Sequence, residues 1–444
     1  MPKTTIGQIG PVAVWITAAG LAAAARRRWG ESWIVSPRGV FSPEQALARA
    51  TDPDRDAPDR KPIWRRRFPA LGTARSDLRS RMRAHRFRNA GLRGPWESSR
   101  LAFVWQHHEL FQRAGFRAAR RHGAPLVLFV DAPIVWEAEQ WRVRRPGWGR
   151  LLERWGEKPQ FRDADLVVCV SLEVADQVRV LGARPERILV APCAVDLDRF
   201  KPTVSGRDVR SRYDLEGRFV VGWSGSFRRF HGVDLAIEAM GSVARALPGA
   251  VLLLVGDGPE RRWLEEKARR LNLLPNVVFT GPVSYSDMPA HVAAMDVGLV
   301  IDPALGKYHY SPLKSWEYMA AGKAIVSPTS GQMKRVLQDG HDALLVEPGA
   351  AEPIASAVLR LHADPELRAS LQIAARARVA ADGSWDHRLR TIEDALIARG
   401  LLPVPELELA PSAQAETKEG RRLPPQALGS SRPSGSGGQF GHRA

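Results

Sequence analysis

Cysteine and long apolar runs are scarce in this chain. Only 2 of its 444 residues are cysteines, Cys169 and Cys193, and each lies in an apolar or strand-like segment. This placement argues against a disulfide framework and favours a reducing compartment. The longest apolar run near the start, 12–25, is shorter than the roughly 20 residues of a transmembrane helix. Because one lysine precedes this run and three arginines follow it, its charges are the reverse of a signal peptide's, and we expect a cytoplasmic protein.

Acidic residues are few relative to basic ones. Lys and Arg total 65 against 48 Asp and Glu, which gives a formal net charge of +17. Such a balance attracts nucleic acid, anionic membranes or phosphorylated small molecules, and charge alone does not choose among them. Arginines crowd together without an acid at Arg79, Arg81, Arg83, Arg86 and Arg88. This pattern predicts a basic helical or loop insertion at the surface, at about 44–100.

The apolar segments of the first half predict parallel α/β structure. The chain is 44% apolar, as globular proteins are, and it is longer than the roughly 100–200 residues of one domain. Strands are predicted at 32–37, 125–130, 164–171 and 187–192, and helices at 11–28, 107–122, 147–156 and 172–181. The opening MPKTTIGQIG is a poor first strand, with Gly7 and Gly10 as candidates for the loop after it.

The second half alternates more regularly. Strands are predicted at 219–225, 250–256, 276–281, 296–301, 323–327 and 343–348. Helices are predicted at 232–246, 259–271, 286–294, 313–321 and 331–338, and three more at 352–362, 364–382 and 385–398 close the fold. This alternation is typical of a doubly wound sheet.

The domain boundaries follow from these segments. We predict an N-terminal Rossmann-like domain at 1–200, a linker at 201–217 and a C-terminal Rossmann-like domain at 218–384. A closing helix at 385–400 is placed to cross back to the first domain. Pro, Ser, Gly and Gln dominate 401–444, which predicts a disordered tail.

A glycine-rich segment, GSFRRFHG, runs from Gly225 to 232 between a predicted strand and a predicted helix. Ligands of α/β sheets bind beyond the carboxyl ends of strands, where glycines expose backbone amides and a helix N-terminus favours an anion. Ser226, Arg229 and His231 are therefore candidates to contact a diphosphate. Taken alone, the segment also fits an ordinary turn with solvated arginines.

A second motif, SPLKSWEYMAAGKAIV, begins at Ser311. Lys314 and Glu317 are three residues apart on its predicted helix and so share a face. A carboxylate can accept hydrogen bonds from a ribose diol, and a lysine can neutralise a phosphate. The alternative is a weak surface ion pair. Gly256 and Gly281 mark two further strand ends between the motifs, so that four such sites would line one crevice.

In combination these segments resemble the retaining glycosyltransferases of the family 4 type (glycosyl transferases group 1). The resemblance covers roughly residues 100 to 400. It is carried, in the family's order, by DADLVVCVSLEVADQVRVLGARPERILVAPCAVDLDRF, GSFRRFHG, LLLVGDGPERRWLE, NVVFTGPVSYSDMPAHVAAMDVGL and SPLKSWEYMAAGKAIVS. It implies the GT-B architecture, two Rossmann-like domains that face a central cleft.

The resemblance also implies roles for particular residues. The C-terminal half would bind the nucleotide sugar, with Glu317 on the ribose and with Ser226, Arg229, His231 and Lys314 on the phosphates. The adjoining donor-binding positions are Gly225, Gly256, Gly281, Ser311, Pro312 and Leu313. Neither a metal ion nor a cofactor is expected, and the donor half has no evident Asp-x-Asp metal site.

The chain departs from the family pattern at several places. The family often has a glutamate eight residues before the ribose glutamate, and an arginine and a lysine in the phosphate loop. These places hold His309, Ser226 and His231 here, changes shared by a branch with G-S-F-x-x-x-H-G and S-P-L-K. His309 is therefore a candidate catalytic residue.

The N-terminal half offers two further catalytic candidates. LVLFVDAPIVWEAEQWR resembles a segment of the same branch, which would put Asp131 and Glu137 in the interdomain cleft. A helix N-cap and a first-turn acid explain these two residues equally well.

The expected activity is transfer of a sugar, with retention, from a UDP- or GDP-sugar to the hydroxyl of a glycan or lipid-linked acceptor in polysaccharide or glycolipid assembly. The arginine-rich N-terminal surface suits an anionic membrane at the cytoplasmic face, or a lipid-diphosphate acceptor, and a solubilising surface explains it equally well. One alternative is a sugar-nucleotide epimerase of the same architecture. Another is a nucleic-acid-binding protein that uses 60–154, where tryptophans accompany the arginines. Nucleic acid is not the expected partner, because it leaves the α/β pattern of the C-terminal half unexplained.

Overall fold

The first half of the chain forms one sheet of seven strands. The computed structural model describes residues 3–5, 12–36, 39–50, 69–141, 143 and 145–404. The strands are β1 Lys3–Thr5, β2 Ile34–Ser36, β3 Gly39–Phe41, β4 Val104–His107, β5 Leu126–Val130, β6 Leu166–Cys169 and β7 Ile188–Val190. Their order is β3-β2-β1-β4-β5-β6-β7, and all neighbours pair in parallel except the antiparallel β2 and β3.

The helices of the first half connect these strands. They are α1 Val12–Trp29, α2 Pro43–Ala50, α3 Pro69–Arg86, α4 Ala114–His122, α5 Ile134–Gln140, α6 Gly149–Leu152, α7 Lys158–Asp163 and α8 Leu172–Val180. A π-helical turn, Glu153–Glu157, joins α6 to α7, so the helix predicted at 147–156 is a chain of three short segments.

Two predictions for this half were wrong. The segment 104–107, whose last residue was placed in a helix, forms β4, and α4 begins only at Ala114. All four residues of β4 are buried, but Gln106 and His107 are polar, so the sequence shows neither the alternation of a half-buried strand nor an apolar run. The opening also contains a strand after all, because β1 pairs with both β2 and β4. Gly7 and Gly10 lie outside the described residues.

The basic segment predicted at about 44–100 is mostly helical where the structure describes it. It contains α2 and α3, followed by turns up to Ser99. Phe87 and Trp96 are buried with the core of the first sheet, so this segment is not confined to the surface. Residues 51–68 of the predicted insertion lie outside the described residues.

The second half forms a parallel sheet of six strands. They are β8 Val220–Ser224, β9 Val251–Val255, β10 Val277–Gly281, β11 Val297–Leu299, β12 Ala324–Pro328 and β13 Leu344–Val346, in the order β10-β9-β8-β11-β12-β13. Its helices are α9 Arg207–Arg212, α10 Val233–Ala246, α11 Arg261–Arg270, α12 Met288–Ala293, α13 Leu313–Ala320, α14 Gly331–Val336 and α15 Glu352–Ala363. β8, β9 and β12 are buried at every position, as expected of parallel strands covered by helices on both faces.

The last two helices, α16 Pro365–Asp382 and α17 Trp385–Ile397, bring the chain back to the first half. Trp385 packs so closely on α1 that a Cβ at Gly20 would lie 2.3 Å from its Nε1 atom. The Arg27 guanidinium donates two hydrogen bonds to Asp386, of 3.0 and 2.7 Å. The final helix therefore contacts the N-terminal sheet layer. Of the predicted tail, 405–444 lies outside the described residues.

Candidate functional site

Two glycine-containing loops meet at the carboxyl ends of β8 and β9. Gly225 has φ +142°, and Gly256 has φ +129°, a region that L side chains rarely adopt. A Cβ at Gly256 would lie 2.0 Å from the carbonyl oxygen of Gly225. The Gly225 amide donates to the Val255 carbonyl at 2.9 Å, and the Gly256 amide donates to Gly281 at 3.1 Å. Three predicted donor-binding glycines therefore lie together, and at Gly256 only glycine fits this approach.

The Lys314 side chain joins the two sequence motifs. Lys314 is the second residue of α13, and its Nζ atom lies 3.5 Å from the centroid of the Trp223 ring on β8. A Cβ at Gly225 would be 3.2 Å from the same Nζ atom. An ammonium over an aromatic face is attracted by the ring quadrupole. The predicted phosphate lysine is thereby held beside the glycine loop after β8.

Lys314 and Glu317 have strongly altered acid-base properties. Burial lowers the pKa of Lys314 to about 7, and the charge of Glu317 opposes that change. Burial likewise raises the pKa of Glu317 to about 7, while Lys314 and the neighbouring Tyr285 hydroxyl act in the opposite direction. Glu317 is only 6% exposed. The alternative of a solvated surface ion pair is therefore wrong, and perturbed pairs of this kind are typical of functional sites.

The three polar residues of the first loop differ in their surroundings. The Ser226 hydroxyl accepts a hydrogen bond from Nε of Arg228 at 3.2 Å, and Arg229 is exposed at the start of a 3₁₀ turn, Arg229–His231. His231 packs on Trp223. Burial, and then the charges of Lys314 and Arg228, hold the pKa of His231 well below its usual value. This shift favours the neutral imidazole, which can form a hydrogen bond but carries no charge.

The segment Ser311-Pro312-Leu313 lies against the N-terminal half. The Ser311 hydroxyl accepts a hydrogen bond from the Cys193 amide at 3.0 Å and another from Nε1 of Trp316 at 3.3 Å. Pro312 occupies the N-cap position of α13, and Leu313 is its first residue. Ser311 is one of the predicted donor-binding residues. Its side-chain oxygen already accepts two hydrogen bonds, and the one from Cys193 links the two halves.

Glu137 and His309, two candidate catalytic residues from different halves, are brought together. Nε2 of His309 lies 3.6 Å from Oε1 of Glu137, and Nδ1 of His309 donates to the Lys307 carbonyl at 3.0 Å. His309 is fully buried, and its Nε2 atom has no hydrogen-bond partner among the described residues. Glu137 lies on α5 and is about one third exposed. These two side chains therefore meet at the contact between the halves.

Asp131, the third candidate catalytic residue, pairs with a histidine instead. Nε2 of His107 lies 2.6 Å from Oδ2 of Asp131, and the Asp131 side chain remains half exposed. The alternative that Asp131 caps α5 is not supported, because the Glu157 carboxylate accepts hydrogen bonds from the amides of Ile134 and Val135. Sequence reasoning missed His107 as a partner. The pairing of β4 with β5 sets His107 beside Phe129, and this brings the His107 side chain to Asp131 just after β5.

An aromatic stack also spans the two halves. Trp141, at the end of α5, stacks on Phe230 with ring centroids 4.3 Å apart and on Tyr310 with centroids 5.8 Å apart. Phe230 belongs to the glycine loop, and Tyr310 directly follows His309. The stack therefore joins α5 of the N-terminal half to the glycine loop of the C-terminal half.

The part of the chain that the structure describes has neither a membrane-spanning helix nor a cluster of metal-ligating side chains. No helix there is long and apolar enough to cross a membrane. The same residues contain no group of three or more His, Cys, Asp or Glu side chains that could hold a metal ion.

Family models match both halves of the chain. The family described as Glycosyltransferase Family 4 matches residues 14–199, and the family described as Glycosyl transferases group 1 matches residues 218–364. A GDP-mannose-dependent alpha-(1-6)-phosphatidylinositol monomannoside mannosyltransferase of Mycolicibacterium smegmatis is 28% identical over 323 residues, 69% of this chain and 81% of the relative. The alpha-D-kanosaminyltransferase of Streptomyces kanamyceticus is 26% identical over 63% of this chain and 76% of its own.

Solved structures show the same fold. HepE of Anabaena, in complex with UDP and glucose, has a TM-score of 0.62 and 18% identity, covering 90% of this chain and 100% of its own. Sucrose-phosphate synthase of Thermosynechococcus elongatus has a TM-score of 0.61 and 19% identity, covering 90% of this chain and 99% of its own. The fold is α/β with two Rossmann-like domains in the GT-B arrangement.

Proposed function

The chain belongs to the glycosyltransferases of group 1 and family 4, and we propose that it transfers a hexosyl group from a UDP- or GDP-sugar to an acceptor hydroxyl with retention of anomeric configuration. The observation that carries the donor part is the meeting of Lys314, Trp223 and Gly225 beside Glu317. One relative is named as GDP-mannose-dependent, and HepE was solved with UDP, which supports both nucleotides as candidates.

The donor site would work mainly by electrostatics. As the glycosidic bond breaks, negative charge grows on the leaving nucleoside diphosphate. The Lys314 ammonium, beside the glycine loop, would stabilise that charge. Helix α10 begins directly after this loop, so the positive end of its dipole would act in the same direction. In its ionised form the Glu317 carboxylate would accept hydrogen bonds from the ribose diol.

The remaining candidates would act on the sugar and the acceptor. Glu137 and His309 meet at the contact between the halves, and Asp131 is held by His107. We assign these groups to positioning the sugar and the acceptor hydroxyl. The proposed scheme uses no metal ion and no cofactor, since cationic side chains and backbone amides take the part of a metal ion at the diphosphate.

The acceptor is proposed to be a glycan or a lipid-linked glycan. A relative named for a phosphatidylinositol monomannoside substrate supports the lipid-linked class. We place the enzyme in the cytoplasm, at the inner face of a membrane, because the arginine-rich first half suits an anionic surface.

Donor turnover tests this function directly. The purified chain is incubated with UDP- and GDP-sugars, with and without a lipid-linked glycan extract, and released nucleoside diphosphate is measured alongside a Lys334→Ala control. We expect release with one donor, stimulated by the extract, and a product whose anomeric proton shows the donor's configuration by NMR. Interconversion of the donor sugar without any acceptor would favour an epimerase, and no release with any donor would contradict the proposal.

A further inference from the structure

Helix α3 exposes an apolar stripe. Leu71, Leu78 and Met82 are 62%, 58% and 48% exposed, and at about 100° per residue they fall within about 40° of one another around the helix. Asp77 and Ala84 are buried on the other side. A helix normally buries its apolar stripe, so an exposed stripe of this kind marks an interaction surface.

The rim of this stripe is basic. α3 contains five arginines against one aspartate, and the aspartate is on the buried side. Arg79 and Arg86 lie about 60° to 80° further around the helix than the middle of the stripe, and both are exposed. The exposed face of α3 therefore presents apolar side chains that can enter an apolar phase and guanidinium groups that attract anions.

The orientation of α3 is fixed by buried polar contacts. The Asp77 carboxylate accepts hydrogen bonds of 2.9 and 3.0 Å from the Arg145 guanidinium and one of 3.0 Å from Nε1 of Trp148. The side chains of Arg145 and Asp77 are each only 8% exposed. Since paired buried charges are costly to separate, the stripe is held outward rather than exposed by a loose helix.

The segment joined to α3 by these contacts has the same character. Directly after Trp148, α6 and the π turn expose Leu151 to 57% and Trp155 to 66%. These two residues are four apart and share a face, and three cations close to them in sequence, Arg150, Arg154 and Lys158, are also exposed. Tryptophan and arginine are the side chains that favour the boundary between lipid headgroups and acyl chains.

We propose that Leu71, Leu78, Met82, Leu151 and Trp155, with the surrounding arginines, form a docking surface for an anionic lipid bilayer. The apolar side chains would enter the headgroup boundary, and the guanidinium groups would contact lipid phosphates, which they match in shape. Nucleic acid would need the arginines but not the apolar stripe. A second copy of this chain would meet the same cations, which repel one another.

The purpose of this surface, to bring the N-terminal half to a lipid-linked acceptor, rests on the proposed function. Its binding to lipid can be tested without any sugar. Binding of the full chain to vesicles of phosphatidylcholine, alone or with a third of phosphatidylglycerol, is measured by flotation. The variants are Leu78→Asp with Met82→Asp, and Arg79→Glu with Arg86→Glu. The matched controls are Ile373→Asp, at a residue 72% exposed on α16, and Arg262→Glu, exposed on α11.

We expect the wild-type chain and both controls to bind the anionic vesicles and to leave neutral vesicles largely unbound. Each basic residue near an anionic surface contributes a factor of about five, so removing two arginines should weaken binding by about 25-fold or more. The apolar pair of substitutions should weaken it by a similar extent, and nucleotide binding should remain in all variants.

Three results would overturn the docking surface. One is absence of vesicle binding by a chain that still binds its nucleotide. Another is binding that the arginine variants lose and the apolar variants keep, with duplex DNA bound equally well, because that pattern fits a polyanion site. The third is a dimer of the wild-type chain that Leu78→Asp dissociates while vesicle binding is unchanged.

Discussion

The Nζ atom of Lys314 lies 3.5 Å from the centroid of the Trp223 ring. Lys314 is the second residue of α13, and Trp223 lies on β8 in the second sheet. Their contact brings two separate sequence motifs together beside the carboxyl ends of the strands, where we propose that the diphosphate binds. The electrostatic consequences of this contact can be measured.

Nucleoside diphosphate binding should take up a proton through Lys314. With a pKa of about 7 the lysine is mostly neutral at pH 8, and a bound diphosphate favours its ammonium form. Calorimetric titration at pH 8 in two buffers of different ionisation enthalpy should therefore give different heats. The difference should vanish in Lys314→Met and persist in the exposed control Lys334→Met. Equal heats for the wild-type chain would show that Lys314 is not at the diphosphate.

Burial of Lys314 should also lower the free energy of unfolding of the protein when no nucleotide is added. Its pKa falls from 10.5 in the unfolded chain to about 7 when folded, so the folded state binds fewer protons between these values. The resulting loss of stability is complete below about pH 7, and it disappears as the pH rises from the folded pKa towards the unfolded pKa. Lys314→Met should accordingly melt at a higher temperature than wild type at pH 6, with a smaller advantage at pH 9. A lower melting temperature at pH 6 would mean that Lys314 stabilises the empty fold.

Gly256→Ala should disrupt the glycine loops. The new Cβ would meet the Gly225 carbonyl oxygen at 2.0 Å, and φ is +129°. Strain and overpacking together should cost about 2–3 kcal/mol, and nucleotide affinity should fall at least tenfold. Gly249→Ala is the matched control, because nothing lies within 4 Å of its added Cβ. Chemical denaturation and nucleotide titration measure the two effects, and unchanged values for Gly256→Ala would contradict this packing.

Asp131 and His107 should affect turnover more than donor affinity. Asp131→Asn should lower kcat by about 100-fold or more if the carboxylate contacts the reacting groups, and leave the donor Kd unchanged. His107 acts through Asp131, so His107→Ala should lower kcat by less, and His107→Gln should restore part of it, because its amide N–H can reach the position of Nε2. Asp176→Asn, on α8 and exposed, is the control. Equal losses of kcat and donor affinity would indicate a structural role only.

Most elements of the second half could be predicted from the sequence because each strand there is a short apolar run bounded by turn residues. The strand predicted at 250–256, for example, corresponds to β9 at Val251–Val255. β4 could not be predicted in this way. It contains Gln106 and His107, so it forms no short apolar run, and burial on both faces also removes the period-two pattern that reveals a half-buried strand.

The candidate site was predictable where its residues follow a strand directly. Gly225 and Gly256 directly follow β8 and β9, Gly281 is the last residue of β10, and the structure brings the three together. The pairing of His107 with Asp131 and the stacking of Trp141 on Phe230 depend on strand order and on the contact between the halves. Local sequence carries no signal for contacts of this kind, which arise only from tertiary packing.

The most direct test of the donor site is thermal unfolding of the full chain with UDP, GDP and ADP, with Glu317→Ala and Lys334→Ala measured beside it. A ligand of the folded state at 100 times its Kd stabilises it by about 2.7 kcal/mol. We predict that UDP or GDP raises the melting temperature of wild type and Lys334→Ala, and that Glu317→Ala abolishes the shift. No shift with any nucleotide in a sample that unfolds cooperatively, or an equal shift in Glu317→Ala, would contradict the account.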